Sequence, residues 1–119
     1  MIDPTLLDGL CGPECPVARA NEILGAKWTT LVMRDLVGGT KRYSELQRSL
    51  VGISPRMLVD RLALLEAEGL ISKRIYPVVP PKTEYTLTDR GKAAIPVIEA
   101  MASFGRLLQS DPASNVRSG

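Results

Sequence analysis

A chain of 119 residues, 45% hydrophobic and 24% charged, is sized for one globular domain with a single core and not for an active site walled between two domains. Its net charge of +2 permits a nucleic-acid partner without demanding one. With no histidine and two cysteines, it lacks the means for a histidine-containing triad, a histidine-bearing zinc site or imidazole acid–base chemistry, so no catalytic centre, cofactor or metal is expected.

The distribution of charge is more informative than its total. Between Lys41 and Lys92 there are ten Lys or Arg against six Asp or Glu, and the rest of the chain is net acidic. No apolar run approaches the roughly 18 residues of a membrane span, and no basic-then-apolar leader opens the chain, so a cytoplasmic protein without a membrane partner is the expectation.

In chain order, residues 1–14 read as an extended arm whose Ile2, Leu6, Leu7 and Leu10 can dock on another surface. Cys15-Pro16 starts a helix, with Pro at the first helical position and Val17, Ala20, Ile23 and Leu24 at helical spacing up to Gly25. A second helix, about Lys27 to Val37, is expected to bury Trp28, Leu31, Val32 and Leu36 and to stop at Gly38-Gly39. A third, Ser44 to Leu50, opens on a Ser44-x-x-Gln47 capping box.

The fourth helix begins at the N-cap Ser54 with Pro55 at the first turn and runs to about Glu68, with Gly69 as its stop. Leu58, Leu62 and Leu65 form its core stripe, while Arg56, Asp60, Ala63 and Ala67 lie opposite. Leu70 to Tyr76 and Thr83 to Leu87 read as strands of a hairpin with a proline-stiffened tip. A last helix, about Thr88 to Gln109, should kink at Pro96 and carries more apolar surface than one small core can use. Residues 110–119 are polar and read as a disordered tail.

Helix 44–50, a three-residue turn and helix 54–68 have helix-turn-helix spacing, and the hairpin after them supplies a wing. The fold class expected is therefore mainly α with a small β-hairpin: a winged helix-turn-helix over residues 15–109. The second helix of such a pair enters the major groove N-terminus first, which would set Ser54, Pro55, Arg56 and Asp60 against bases or phosphates. Lys73, Arg74 and Lys82 on the hairpin, and Lys41, Arg42, Tyr43 and Ser44 at the start of the preceding helix, are candidate backbone contacts. Arg61, on the flank of the leucine stripe, either joins them or pairs with a carboxylate. Each signal alone also fits an ordinary globular helix or hairpin edge, and winged helices serve as protein-interaction modules without DNA binding, which stays as the alternative.

Several short stretches in combination carry a resemblance: Cys15-Pro16-Val17, Lys27-Trp28, Arg42-Tyr43-Ser44-Glu45-Leu46, Gly52-Ile53-Ser54-Pro55, Tyr76-Pro77 with Val79-Pro80-Pro81, and Glu84-Tyr85 with Leu87-Thr88. On these the chain, from about Cys15 to Gly105, resembles the HxlR-type transcription regulators, a family related to the MarR regulators. The resemblance implies a homodimer that binds double-stranded promoter DNA at inverted repeats. It also assigns dimerisation to the N-terminal segment and last helix, where Leu6, Leu10, Ile95, Ile98, Met101, Ala102 and Leu108 are the candidates. Some members of the family sense oxidants or electrophiles through an N-terminal cysteine; Cys15 matches that position, and Cys11 is additional. Cys15 also precedes a helix whose free amides favour a thiolate, with Arg19 one turn on and Glu14 opposing both; the alternative is that it is a small apolar residue packed near the dimer seam. MarR-related dimers can hold small molecules, but no residue here specifies an effector. The C-x3-C spacing, outside any βαβ pattern, argues against a thiol redox enzyme.

Overall fold

The computed structural model describes residues 15–110. Four helices precede a hairpin and two follow it: α1 Pro16–Leu24, α2 Thr29–Val37, β1 Lys41–Arg42, α3 Tyr43–Ser49, α4 Pro55–Ala67, β2 Ile71–Tyr76, β3 Lys82–Leu87, α5 Asp89–Lys92 and α6 Ile95–Ser110. The expected arm, with Ile2, Leu6, Leu7, Leu10 and Cys11, and the tail after Ser110 lie outside the described residues.

The core is built from stripes at helical spacing. Val32, Met33 and Leu36 of α2 meet Leu46 of α3 and Leu58, Leu62 and Leu65 of α4, with Ile71, Tyr85 and Leu87 of the sheet closing one side. The α4 stripe is the one the sequence predicts, and Gly69 ends the helix with φ 75°, a left-handed value that costs glycine little. In α2 the stripe differs in part: Leu31 is exposed and Met33 is buried. Val32 and Leu36 are buried as expected, and Trp28, with φ 76°, is the N-cap ahead of α2, so the helix starts at Thr29.

The sheet has three strands in the order β1-β3-β2, all antiparallel. The hairpin was legible; the two-residue β1 was not. It pairs Lys41 with Tyr85 and Arg42 with Glu84, so the chain enters α3 directly from a sheet edge. Accordingly the α3 N-terminus is fixed two residues earlier than the Ser44–Gln47 box: the Glu45 carboxylate accepts the backbone N–H of Arg42 at 2.8 Å. Gln47 instead donates to the Ile53 carbonyl at 3.2 Å, bridging the turn between α3 and α4.

Pro96 does not kink a long helix. The chain breaks before it, at Ala93-Ala94, between α5 and α6, where tight turn bonds from Ala93 to Arg90 and Ala94 to Gly91 close the end of α5. Pro96 then sits in the first turn of α6, where its missing N–H has no intrahelical acceptor to lose. Thr88 caps α5, accepting from Gly91 at 3.0 Å, and its own hydroxyl donates to the Gly69 carbonyl at 2.6 Å. That links the end of β3 to the end of α4. No helix among the described residues is long and apolar enough to cross a membrane.

Candidate nucleic-acid interface

Helix α4 is anchored by its leucines and presents its other side outward. Arg56, Asp60, Ala63 and Ala67 are all exposed, and among the described residues neither Arg56 nor Asp60 joins an ion pair. Ser54 is engaged as a cap, its Oγ accepting from Met57 N at 3.1 Å, with Pro55 at the first helical position. The first turn of α4 is also held from α3: the Tyr43 hydroxyl lies 3.5 Å from the Pro55 carbonyl, a long contact. Arg61 is half-buried and lies away from this face. Its Nε donates to the Lys27 carbonyl at 2.7 Å, a backbone partner rather than a carboxylate.

The wing brings further cations alongside. Lys73, Arg74 and Lys82 are exposed on β2 and β3. Between the tip of the hairpin and the start of α3 lies an open cleft of about 510 Å³, lined by Arg42, Tyr43, Ser44 and Val78 to Thr83. Thus Arg42 and Ser44 face one space with Lys82, which is distant from them in sequence. Lys41, like Arg61, is half-buried, and it lines a smaller hollow with Asp35 and Glu45. The Arg42 amide holds the Glu45 carboxyl below the usual carboxylate range, with the charges of Arg42, Lys41 and Arg48 acting in the same direction.

One group in this region was not singled out from sequence. Register places Glu84 directly opposite Arg42 on one side and Arg74 on the other. It pairs with neither; it accepts from the Tyr76 hydroxyl at 2.9 Å, and the Arg74 guanidinium lies over the Tyr76 ring, 4.8 Å from its centroid. The bond to Glu84 pushes the Tyr76 phenol up. Only the strand register brings these three side chains together, and sequence spacing does not reveal it.

At the other end of the domain, Cys15 is a half-buried free thiol at the N-cap of α1. Arg19 does not face it; it bonds Glu68 at 2.8 Å and Glu22 at 3.1 Å, tying α1 to the end of α4. Among the candidate dimer residues, Ile95 and Ile98 pack on the edge of the core, whereas Met101, Ala102 and Leu108 are exposed on α6 beside Val97, Phe104 and Leu107.

A helix-turn-helix held to a three-stranded wing is a shape with known counterparts. The model of the HxlR-like helix-turn-helix family matches residues 23–111. An uncharacterized HTH-type transcriptional regulator of Methanothermobacter thermautotrophicus is 44% identical over 101 residues, which are 85% of this chain and 74% of that protein. Among solved structures, one from Porphyromonas gingivalis W83 assigned to the MarR family superimposes with a TM-score of 0.77 at 43% identity, covering 80% of this chain and 93% of that one. The redox regulator HypR in its oxidized form gives 0.73 at 36% identity, covering 77% and 95%. With its fold and most of its length matched in this way, the chain belongs to the HxlR-like family of helix-turn-helix transcriptional regulators, structurally related to the MarR family, and is not an enzyme.

Proposed function

We propose that the protein binds double-stranded promoter DNA sequence-specifically, as a homodimer on inverted repeats, and that Cys15 makes this binding responsive to oxidants or electrophiles. The observation that carries the DNA reading is the outer face of α4: Arg56 and Asp60 stand exposed above the small Ala63 and Ala67, with no ion-pair partner among the described residues. Small residues let a helix approach closely, Arg donates bidentately to guanine, and a carboxylate accepts from cytosine. Arg42, Ser44 and Lys82 around the adjoining cleft, with Lys73 and Arg74 on the wing, are placed to follow the phosphate backbone.

The exposed apolar row on α6 supports the dimer, and a second copy would set the two α4 helices about one DNA turn, roughly 34 Å, or a multiple apart. The redox part rests on the free thiol of Cys15 at the start of α1 and on the likeness to HypR, a redox regulator.

The test is selection of bound sequences from a randomised duplex pool by the reduced protein, followed by fluorescence anisotropy on the enriched duplex across a salt series. An inverted repeat, affinity that falls steeply with salt, and a loss of about 1 to 3 kcal/mol in Arg56→Ala are expected. No enrichment of any sequence would overturn the reading in favour of a protein-interaction module. For Cys15, diamide-treated protein should bind the same duplex with altered affinity and Cys15→Ser should not respond; equal responses would remove the redox part.

A further inference from the structure

On an antiparallel pair, an arginine directly opposite a glutamate ordinarily closes an ion pair, worth about 0.2–1 kcal/mol at a surface. Glu84 has such a partner on each side, Arg42 and Arg74, and takes neither. Its carboxylate accepts from the Tyr76 hydroxyl at 2.9 Å. The Arg74 guanidinium carbon lies over the same ring, 4.8 Å from its centroid.

The difference matters chemically. An ion pair with a carboxylate consumes the in-plane N–H donors of a guanidinium, usually two at once. A cation held over a ring face spends no donor on a carboxylate and keeps its N–H groups available to another acceptor. A stacked arginine is therefore both held in place and still able to bind an anion.

We propose that Tyr76 is a positioning residue for DNA recognition: its hydroxyl occupies the Glu84 carboxylate while its ring carries Arg74, which keeps that arginine from its cross-strand partner and leaves its donors for a DNA phosphate or base edge. The inference rests on the DNA-binding reading above. It adds that the wing has a built-in competitor for its own arginine, and that one phenol disarms it.

The test is a double-mutant cycle on the enriched duplex, using Tyr76→Phe, Glu84→Gln and the pair together, with Arg74→Ala as reference. Arg74→Ala should weaken binding several-fold and reduce the salt slope by about one. Tyr76→Phe keeps the ring but releases Glu84, so it should approach the loss seen in Arg74→Ala. In the Glu84→Gln background the same Tyr76→Phe change should cost nothing, because a neutral amide does not capture the arginine. Comparing the two steps removes the general gain from deleting a negative charge. A hydroxyl that matters only for the shape of the wing would cost the same in both backgrounds, and that result overturns the proposal. So does an Arg74→Ala protein that binds like the parent while Arg56→Ala loses affinity, an outcome that leaves the DNA reading intact. If the parent selects no duplex, the reading and the inference fall together.

Discussion

Arg61 Nε donates to the Lys27 carbonyl at 2.7 Å, joining the middle of α4 to the corner where Trp28 turns left-handed ahead of α2. The cation thus belongs to the scaffold under the recognition helix. Charge-assisted bonds of this kind contribute about 1.5 kcal/mol, at the low end because the side chain is half-exposed. Arg61→Ala should lower the unfolding free energy by that amount, read as a lower urea midpoint at unchanged slope, and should leave the salt dependence of DNA binding unaltered.

Gly91 is buried where α5 passes the end of α4, and a Cβ there would run into the backbone carbonyl of Leu70. That carbonyl already accepts from Thr88 N at 3.0 Å, so it cannot retreat without loosening the joint between wing and helix. Gly91→Ala would gain up to about 1 kcal/mol of helix propensity yet should destabilise the protein by about 3 kcal/mol through overpacking, read by thermal or urea unfolding. A stability equal to the parent would show that the joint yields easily.

Acid should act on the start of α3. Glu45 accepts the Arg42 amide and its carboxyl is held below the usual range, mainly by that bond, so its folded pKa lies below its unfolded one. Its contribution is therefore present above the unfolded value and is lost as pH falls through the folded value. Glu45→Gln should reduce stability at neutral pH and narrow the gap to the parent on acidification, measured as urea midpoints over a pH series. A gap that does not change with pH would count against the assignment.

On α6, Val97, Met101, Phe104 and Leu108 follow one helical stripe, all at least 42% exposed. If a second copy covers that stripe, Phe104→Glu should shift the protein to monomer mass in sedimentation and weaken binding to the enriched duplex. The domain itself should keep its unfolding midpoint, since none of α6 is fully buried within the chain.

What the sequence discloses here is what is decided locally. Ser54-Pro55 at the start of α4 and Gly69 at its end are read correctly because cap geometry depends on a few adjacent residues. Trp28 is misread because its left-handed conformation is maintained from outside, by the packing around it and the Arg61 bond to its neighbour. Strand β1 is invisible because two residues become a strand only by pairing with β3. The site divides the same way: Arg56 and Asp60 follow from helical periodicity, whereas Glu84, opposite two arginines and bonded to neither, follows only from register.

The pairing of β1 with β3 also bears on how the chain comes into being. Lys41 meets Tyr85 across about forty residues of intervening chain that include all of α3 and α4, so this pairing is a long-range closure with a loop-entropy cost of its own. As the polypeptide leaves the ribosome, both helices of the helix-turn-helix emerge before the strand that will cover them. Tyr85 and Leu87, the inward residues of β3, arrive late. Until they do, the apolar core that Tyr85 and Leu87 complete is incompletely sheltered, which leaves the unfinished chain open to aggregation.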